Sequence, residues 1–198
     1  ALQTLRLRYV RPNASLTWSI GSIHAGERFN VVPDDLVCQG SVRFLDKDSG
    51  MAFWAEFRRV LDSVCPLNYC SYRLRVPEFL LPTINTPACT ELFRAAAKEY
   101  LGPDSIYECE PWMASETFSF ICNMIPGVNS FTGIRNDRYG SGANHHTPEF
   151  DLVEEGLIYG IAAALGYVLN YFESPPDLSD FQPVCESMES LIAMLHNA

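Results

Sequence analysis

Apolar and polar residues alternate in two runs near the start of the chain, SLTWSIGSIHAG (15–26) and DDLVCQGSVRFLD (34–46), and both read as β-strands. The ERFNVVP between them holds an Asn and a Pro, which suit a connection better than a central strand. From Asp46 the period lengthens: Met51, Trp54, Phe57, Leu61 and Val64 recur at three or four residues, with Glu56, Arg58 and Arg59 on the opposite side. That spacing predicts an amphipathic helix, ended by Pro66. YCSYRLRV (69–76) alternates again and predicts a third strand, so a β-β-α-β unit occupies residues 1–77, a small α/β sandwich.

The proline-punctuated PEFLLPTINTP (77–87) sets a domain boundary, with a second domain over 78–175 and a tail over 176–198. Thr86 before Pro87 reads as an N-cap and first-turn proline for a helix in ACTELFRAAAKEYLG, stopped by Gly102. A wide apolar stripe of Leu157, Ile161, Leu165, Val168 and Leu169 predicts another helix from about Glu154 to Phe172. Between them SIYECE and VNSFTGIR are strand candidates, and the tail after SPPD predicts one more short helix. In WMASETFSF, Ser115 reads as an N-cap with Glu116 in the first turn.

Composition narrows the function classes. With 198 residues, 47% of them hydrophobic, the chain has material for a substantial core. Its net charge of −10 is spread along the sequence and leaves no basic stripe for phosphates, so nucleic acid is not an expected partner. No run approaches the ~18 apolar residues of a membrane span. Seven cysteines without a C-x-x-C pair offer neither a zinc ribbon nor a readable disulfide framework; reduced, mostly buried thiols and a cytoplasmic location are the expectation.

Candidate chemistry centres on NHHTPEF, where His145 and His146, half of the four histidines, stand in a loop before a helix with Thr147-Pro148 restricting the backbone after them. Imidazole is both the near-neutral titrating group and the commonest metal ligand. His24 lies near a strand end, Asn30 on the connection, and Arg43 inside an otherwise apolar strand, where it pairs with an acid or grips a carboxylate. Arg135 and Arg138 are further cations for an acidic substrate or solvated loop charges. Serine-nucleophile chemistry lacks a G-x-S-x-G setting.

Taken in order, GSIHAGERFNVVPDDLVCQGSVRFLD, PTINTP, MASETFSF, IPGVNSFTGI and NHHTPEFDLVEEGL resemble the second half of the metal-dependent amidohydrolases: hippurate hydrolase, the indole-acetyl-amino-acid hydrolases and N-acetyldiaminopimelate deacetylase, related to the aminoacylase and carboxypeptidase zinc enzymes. The resemblance implies a lid or dimerisation domain (1–77), then the C-terminal part of an α/β zinc-peptidase catalytic domain (78–175) and a tail helix (176–198). It implies His146 as a ligand of two divalent metal ions, zinc or manganese, with His145 lining the loop. His24 would be the catalytic residue that polarises the scissile carbonyl across a homodimer formed through the lid, and Asn30, Arg43 and Glu116 would bind substrate, a small N-acyl amino acid. The family's Ser-Glu-Asp-Phe reads Ser115-Glu116-Thr117-Phe118 here.

The resemblance also places a cysteine-histidine metal pair, the Glu-Glu pair with the general base, and one more metal histidine in a preceding half that these residues do not contain. The chain, which starts without methionine at ALQTL, is therefore expected to be a C-terminal half, inactive without its N-terminal partner. The competing expectation is a non-catalytic dimerisation or ligand-binding module of the same descent, with Thr117 as the argument for it.

Overall fold

The computed structural model describes residues 2, 5, 10–76 and 80–197, divided into two compact units. One comprises Ala1–Pro82, Pro111–Ser119 and Met188–Ala198; the other comprises Thr83–Glu110 and Phe120–Ser187.

In the first unit, strands β1 (Leu16–Ala25) and β2 (Leu36–Phe44) pair antiparallel, from Leu16 opposite Phe44 to Ala25 opposite Leu36. The register slips between Ile20 and Ser22, leaving Gly21 as the extra residue of a bulge. Opposite the slip, a Cβ on Gly40 would overlap the Ser19 carbonyl, so only glycine fits there. Helix α1 (Lys47–Leu67) starts at Asp46, whose carboxylate accepts from the Asp48 and Ser49 amides at 3.3 and 3.0 Å and from the Ser49 hydroxyl. These hydrogen bonds, led by the Ser49 hydroxyl, hold the Asp46 carboxyl below its usual range.

The helix packs an aromatic face toward the sheet. Phe53 is fully buried with Leu5, Val10 and Leu16, and Trp18, Val42, Phe44, Trp54 and Phe57 close around them. Ring centroids lie 6.0 Å apart for Phe53 with Trp18 and 5.4 Å for Trp54 with Phe57. The predicted helix therefore forms as its three-to-four spacing requires, but runs one residue past Pro66. The ring sits in the last turn, where the helix is already being closed by the Asn68 and Tyr69 amides donating to the Cys65 and Pro66 carbonyls.

The predicted third strand does not form. Residues 70–76 carry no ladder, and the β-β-α-β expectation reduces to β-β-α among the described residues. Alternation supplies two faces but not a partner edge, and the segment instead returns along α1, with the Tyr72 hydroxyl donating to Asp62 at 2.7 Å.

In the second unit, helix α2 (Pro87–Leu101) lies against helix α4 (Glu155–Glu173), and the short helix α3 (Phe118–Cys122) runs across the division between the units. Helix α5 (Met188–Asn197) belongs to the first unit. Buried positions of the second unit are small: Cys89, Ala96, Ala97, Cys122 and Ala163. Cys89 and Cys122 are the only buried cysteines of the seven, so the expectation of mostly buried thiols does not hold: the other five lie on strand, helix-end or loop positions that no core covers. A Cβ on Gly156 would meet the Gly133 carbonyl at 3.0 Å, so the absence of a side chain lets residues 133–134 lie on α4.

SIYECE and VNSFTGIR are not strands either. Their neighbourhood is tied by side chains: the Asn129 amide donates to Asn85 Oδ1 at 2.8 Å and Asn85 Nδ2 donates to the Asn129 carbonyl at 2.9 Å. Next to them, the Thr86 amide donates to the Gly127 carbonyl at 2.9 Å, and the Gly127 amide donates to the Thr86 hydroxyl at 3.1 Å. Thr86 does precede α2, but its hydroxyl serves Gly127 rather than the helix's own first turn. The outcome is a mixed α/β chain with one two-stranded sheet among the described residues.

Candidate functional site

Four of the five residues singled out from sequence fall in the first unit and one in the second. His24 is next to last in β1, opposite Val37, with an exposed side chain. Asn30 is exposed on the turn between the strands. Gly26 opens that turn at φ +67° with Pro33 in van der Waals range of its missing Cβ, which fixes how the chain leaves the His24 strand.

Arg43 sits on β2 opposite Thr17, and its Nη1 donates to the Met113 carbonyl at 2.6 Å. This ties the MASE segment, and with it Glu116, to the strand that carries Arg43. One guanidinium donor is thereby used, and a guanidinium has five. Glu116 differs from the expected arrangement: its own Oε1, not the Ser115 hydroxyl, accepts from the Phe118 amide at 3.1 Å and from the Thr117 hydroxyl at 3.3 Å. A carboxylate at the start of a helix accepts unpaired amide protons well, so Glu116 competes successfully for a role that sequence assigns to Ser115. Thr117, where the family resemblance has Asp, is thus a donor to its neighbouring carboxylate.

In the second unit, the loop leading to His146 is held at both ends. Buried Ser141 accepts from the Asn136 amide at 2.6 Å, and the Val153 amide donates to the Ile134 carbonyl at 3.0 Å. Between them a 3-10 turn (Asp137–Tyr139) is capped by Asn136, and Arg135 pairs with Asp137 at 2.7 Å. That guanidinium holds the Asp137 carboxyl below its usual range.

His146 has φ +65°, the left-handed region that side-chain-bearing residues seldom occupy. The Thr147 hydroxyl donates to the Asn144 carbonyl at 2.9 Å and the Phe150 amide to the Thr147 carbonyl at 3.1 Å, closing the turn around it. The His145 ring lies edge-on to Phe150 at 5.1 Å, while His146 is exposed. Proline restrains the residue before it, Thr147, and the left-handed conformation one position earlier carries no mark in the sequence.

Among the described residues, no three His, Cys, Asp or Glu side chains gather closely enough to hold a metal ion. The exposed, backbone-restrained imidazole of His146 fits one ligand of such a centre; the donors among the described residues do not make up the whole of one. A cleft of about 500 Å³ in the second unit is lined by Asn85, Thr86, Cys122, Asn123, Asp180 and Phe181 among others, and His146 is not part of its wall. Sequence reading passes over Asn85 and Thr86 as site-building residues. Their signal is the placement of two side chains that bond readily to backbone immediately ahead of a helix-starting proline.

Comparison with known proteins converges on one group. The chain matches the model of peptidase family M20/M25/M40 over residues 10–170. It is 30% identical over 175 residues to IAA-amino acid hydrolase ILR1-like 4 of Arabidopsis thaliana, a match covering 86% of this chain and 40% of that protein. With the hippurate hydrolase of Campylobacter jejuni it shares 29% over 140 residues, 70% of this chain and 37% of that one. With the N-acetyldiaminopimelate deacetylase of Enterococcus faecalis it shares 24% over 170 residues, 84% of this chain and 43% of that one. Among solved structures, a methicillin-resistant Staphylococcus aureus protein assigned as an aminohydrolase superposes with a TM-score of 0.72 at 27% identity, covering 86% of this chain and 43% of the other. The chain thus spans less than half the length of the relatives it matches. Because the matched residues run from ahead of β1 into α4 and take in every candidate site residue, the chain belongs to peptidase family M20/M25/M40.

Proposed function

We propose that this chain is the C-terminal part of a metal-dependent amidohydrolase that cleaves the amide bond of N-acyl or aryl-acyl amino acids. The observation that carries the reading is His146, held at φ +65° by a closed turn inside a family-matched loop. Strained backbone of this kind costs about 1–3 kcal/mol and clusters at functional sites.

In this reading His146 gives its imidazole to a centre whose other donors come from outside the described residues, and that centre supplies Lewis acidity and water activation. His24 donates a hydrogen bond to the scissile carbonyl oxygen, stabilising the charge that develops there. It acts on the site of a second copy, so the working particle is a homodimer joined through the first unit. Arg43, with donors to spare beyond the Met113 carbonyl, receives the substrate carboxylate together with Asn30. Glu116 orders the segment beside Arg43 through the Phe118 amide.

Further protein covering this chain is supported by α4. Ile158, Ile161, Leu165, Val168 and Phe172 form a 3-4-3-4 apolar row on it, exposed by 46–80%. A helix apolar on its outer as well as its inner side belongs inside a larger core. Among the described residues no helix is long and apolar enough to cross a membrane.

The test is hydrolysis of indole-acetyl, benzoyl and N-acetyl amino acids by the complete protein with zinc or manganese. Activity should fall at least ~100-fold on His146→Ala. Arg43→Ala should raise KM with kcat little changed, the signature of lost uniform binding. A folded, complete protein that turns over none of these substrates would instead be a dimerisation or ligand-binding module.

A further inference from the structure

The end of α1 has a geometry that the hydrolase reading does not use. The Cys70 amide donates to the Cys65 carbonyl at 3.0 Å and the Tyr69 amide to the Pro66 carbonyl at 3.1 Å, with Tyr69 at φ +57°. This is the paired 6→1 and 5→2 bonding of a Schellman ending, in which the side chains at the 6 and 1 positions meet, usually as an apolar contact. Here both positions are cysteine. The 3.0 Å hydrogen bond, with the bend of the Cα–C=O angle, keeps the two Cα atoms inside the limit of about 7 Å beyond which cysteines cannot be bridged. The Cys70 thiol also lies over its partner, 3.3 Å from the Cys65 carbonyl oxygen.

We propose that Cys65 and Cys70 are a thiol pair that closes to an intramolecular disulfide when the protein meets a low-molecular-weight disulfide such as oxidised glutathione. Cys70 is exposed and Cys65 half-buried. Oxidised glutathione therefore reaches the exposed Cys70 sulfur first, while burial, then the neighbouring Cys70 thiol, raises the Cys65 pKa.

The Cys70 thiolate attacks one sulfur of oxidised glutathione, forming a mixed disulfide and releasing one glutathione. Cys65, deprotonated, then attacks the Cys70 sulfur and expels the second. In sum, two protein thiols are oxidised, one glutathione disulfide is reduced, and two glutathione thiols leave with the two protons. The bond staples the last turn of α1 to the segment that returns along it through Tyr72 and Asp62.

Both cysteines lie in one tryptic peptide, residues 60–73. After incubation with oxidised glutathione, mass spectrometry should find that peptide lighter by two hydrogens, with full recovery on reduction. Cys65→Ser should stop the reaction at a glutathione adduct on Cys70, because the resolving thiol is gone. The proposal is overturned if the wild-type peptide keeps the glutathione adduct, stays fully reduced, or is joined to a peptide carrying Cys38 or Cys109, the other exposed thiols. Cys65→Ser and Cys70→Ser change a half-buried and an exposed side chain, so both variants remain folded for comparison.

Discussion

The two units solve the same packing problem with different materials. In the first, a short sheet and one helix are held by large rings: Phe53 is fully enclosed, and Trp18, Trp54 and Phe57 meet it edge-on or tilted. In the second, the buried helical positions are alanine, cysteine and glycine, the half-buried Phe93 and Tyr167 rings meet between the helices, and non-helical segments are laced by Asn85, Thr86 and Ser141. The contrast separates two ways of fixing a candidate site residue. Arg43 is placed by a strand on an apolar core, whereas His146 is placed by a loop whose shape rests on polar side chains.

The most severe way to break the first arrangement is Phe53→Ala. Removing a fully buried ring from an aromatic cluster should cost about 3–5 kcal/mol, seen as a lower midpoint in denaturant unfolding followed by tryptophan fluorescence. An effect below 1 kcal/mol would show that the rings are not the core.

Asn85→Ala probes the second arrangement and should cost less, about 1–3 kcal/mol, because it leaves the part-buried Asn129 amide and carbonyl without partners. Hydrogen exchange at Asn129 should accelerate while amides within α1 keep their protection. Unchanged exchange at Asn129 would mean that the loop is fixed by something other than Asn85.

The smallest expected effects are in pH, and they have opposite signs. The Asp46 carboxyl is lowered by its capping bonds, so its contribution is complete above the ordinary value of 3.8 and is lost as pH falls through the folded pKa. The Tyr167 phenol, beside Cys89 and with its ring 6.1 Å from Phe93, is pushed up to about 12 chiefly by burial. Its contribution is complete below the ordinary value of 10.0 and is lost as pH rises toward 12. Asp46→Asn should flatten the acid limb of a stability profile, and Tyr167→Phe the alkaline limb; an interchange of the two limbs would contradict the assignment.

This difference in materials also explains what could be read ahead of the structure. Helices α1, α2 and α4 announce themselves through apolar spacing and through Asp46, Pro87 and Gly102 at their ends, all local features. The three absent strands share a cause: the residue types of YCSYRLRV, SIYECE and VNSFTGIR say nothing about whether a partner edge is available, and two of these segments are tied instead through Tyr72 to Asp62 and through Asn129 to Asn85. Among the candidate residues, the identities of His24, Asn30, Arg43 and Glu116 in the first unit and His146 in the second are visible as motif positions. Their settings are not: Glu116 in place of Ser115 as the acceptor, the Met113 carbonyl on Arg43, and the left-handed His146 all depend on contacts between separate segments or on a whole loop. The cysteine pair at 65 and 70 was hidden similarly, since its i, i+5 spacing matters only once Tyr69 turns the chain back.

The most direct test of the account is the zinc stoichiometry of residues 1–198 alone and of the complete protein, each with and without His146→Ala. The account predicts no tight site in residues 1–198 and about two ions per site in the complete protein, reduced by the substitution. Tight binding by residues 1–198 alone, or full metal content in the complete His146→Ala protein, would contradict it.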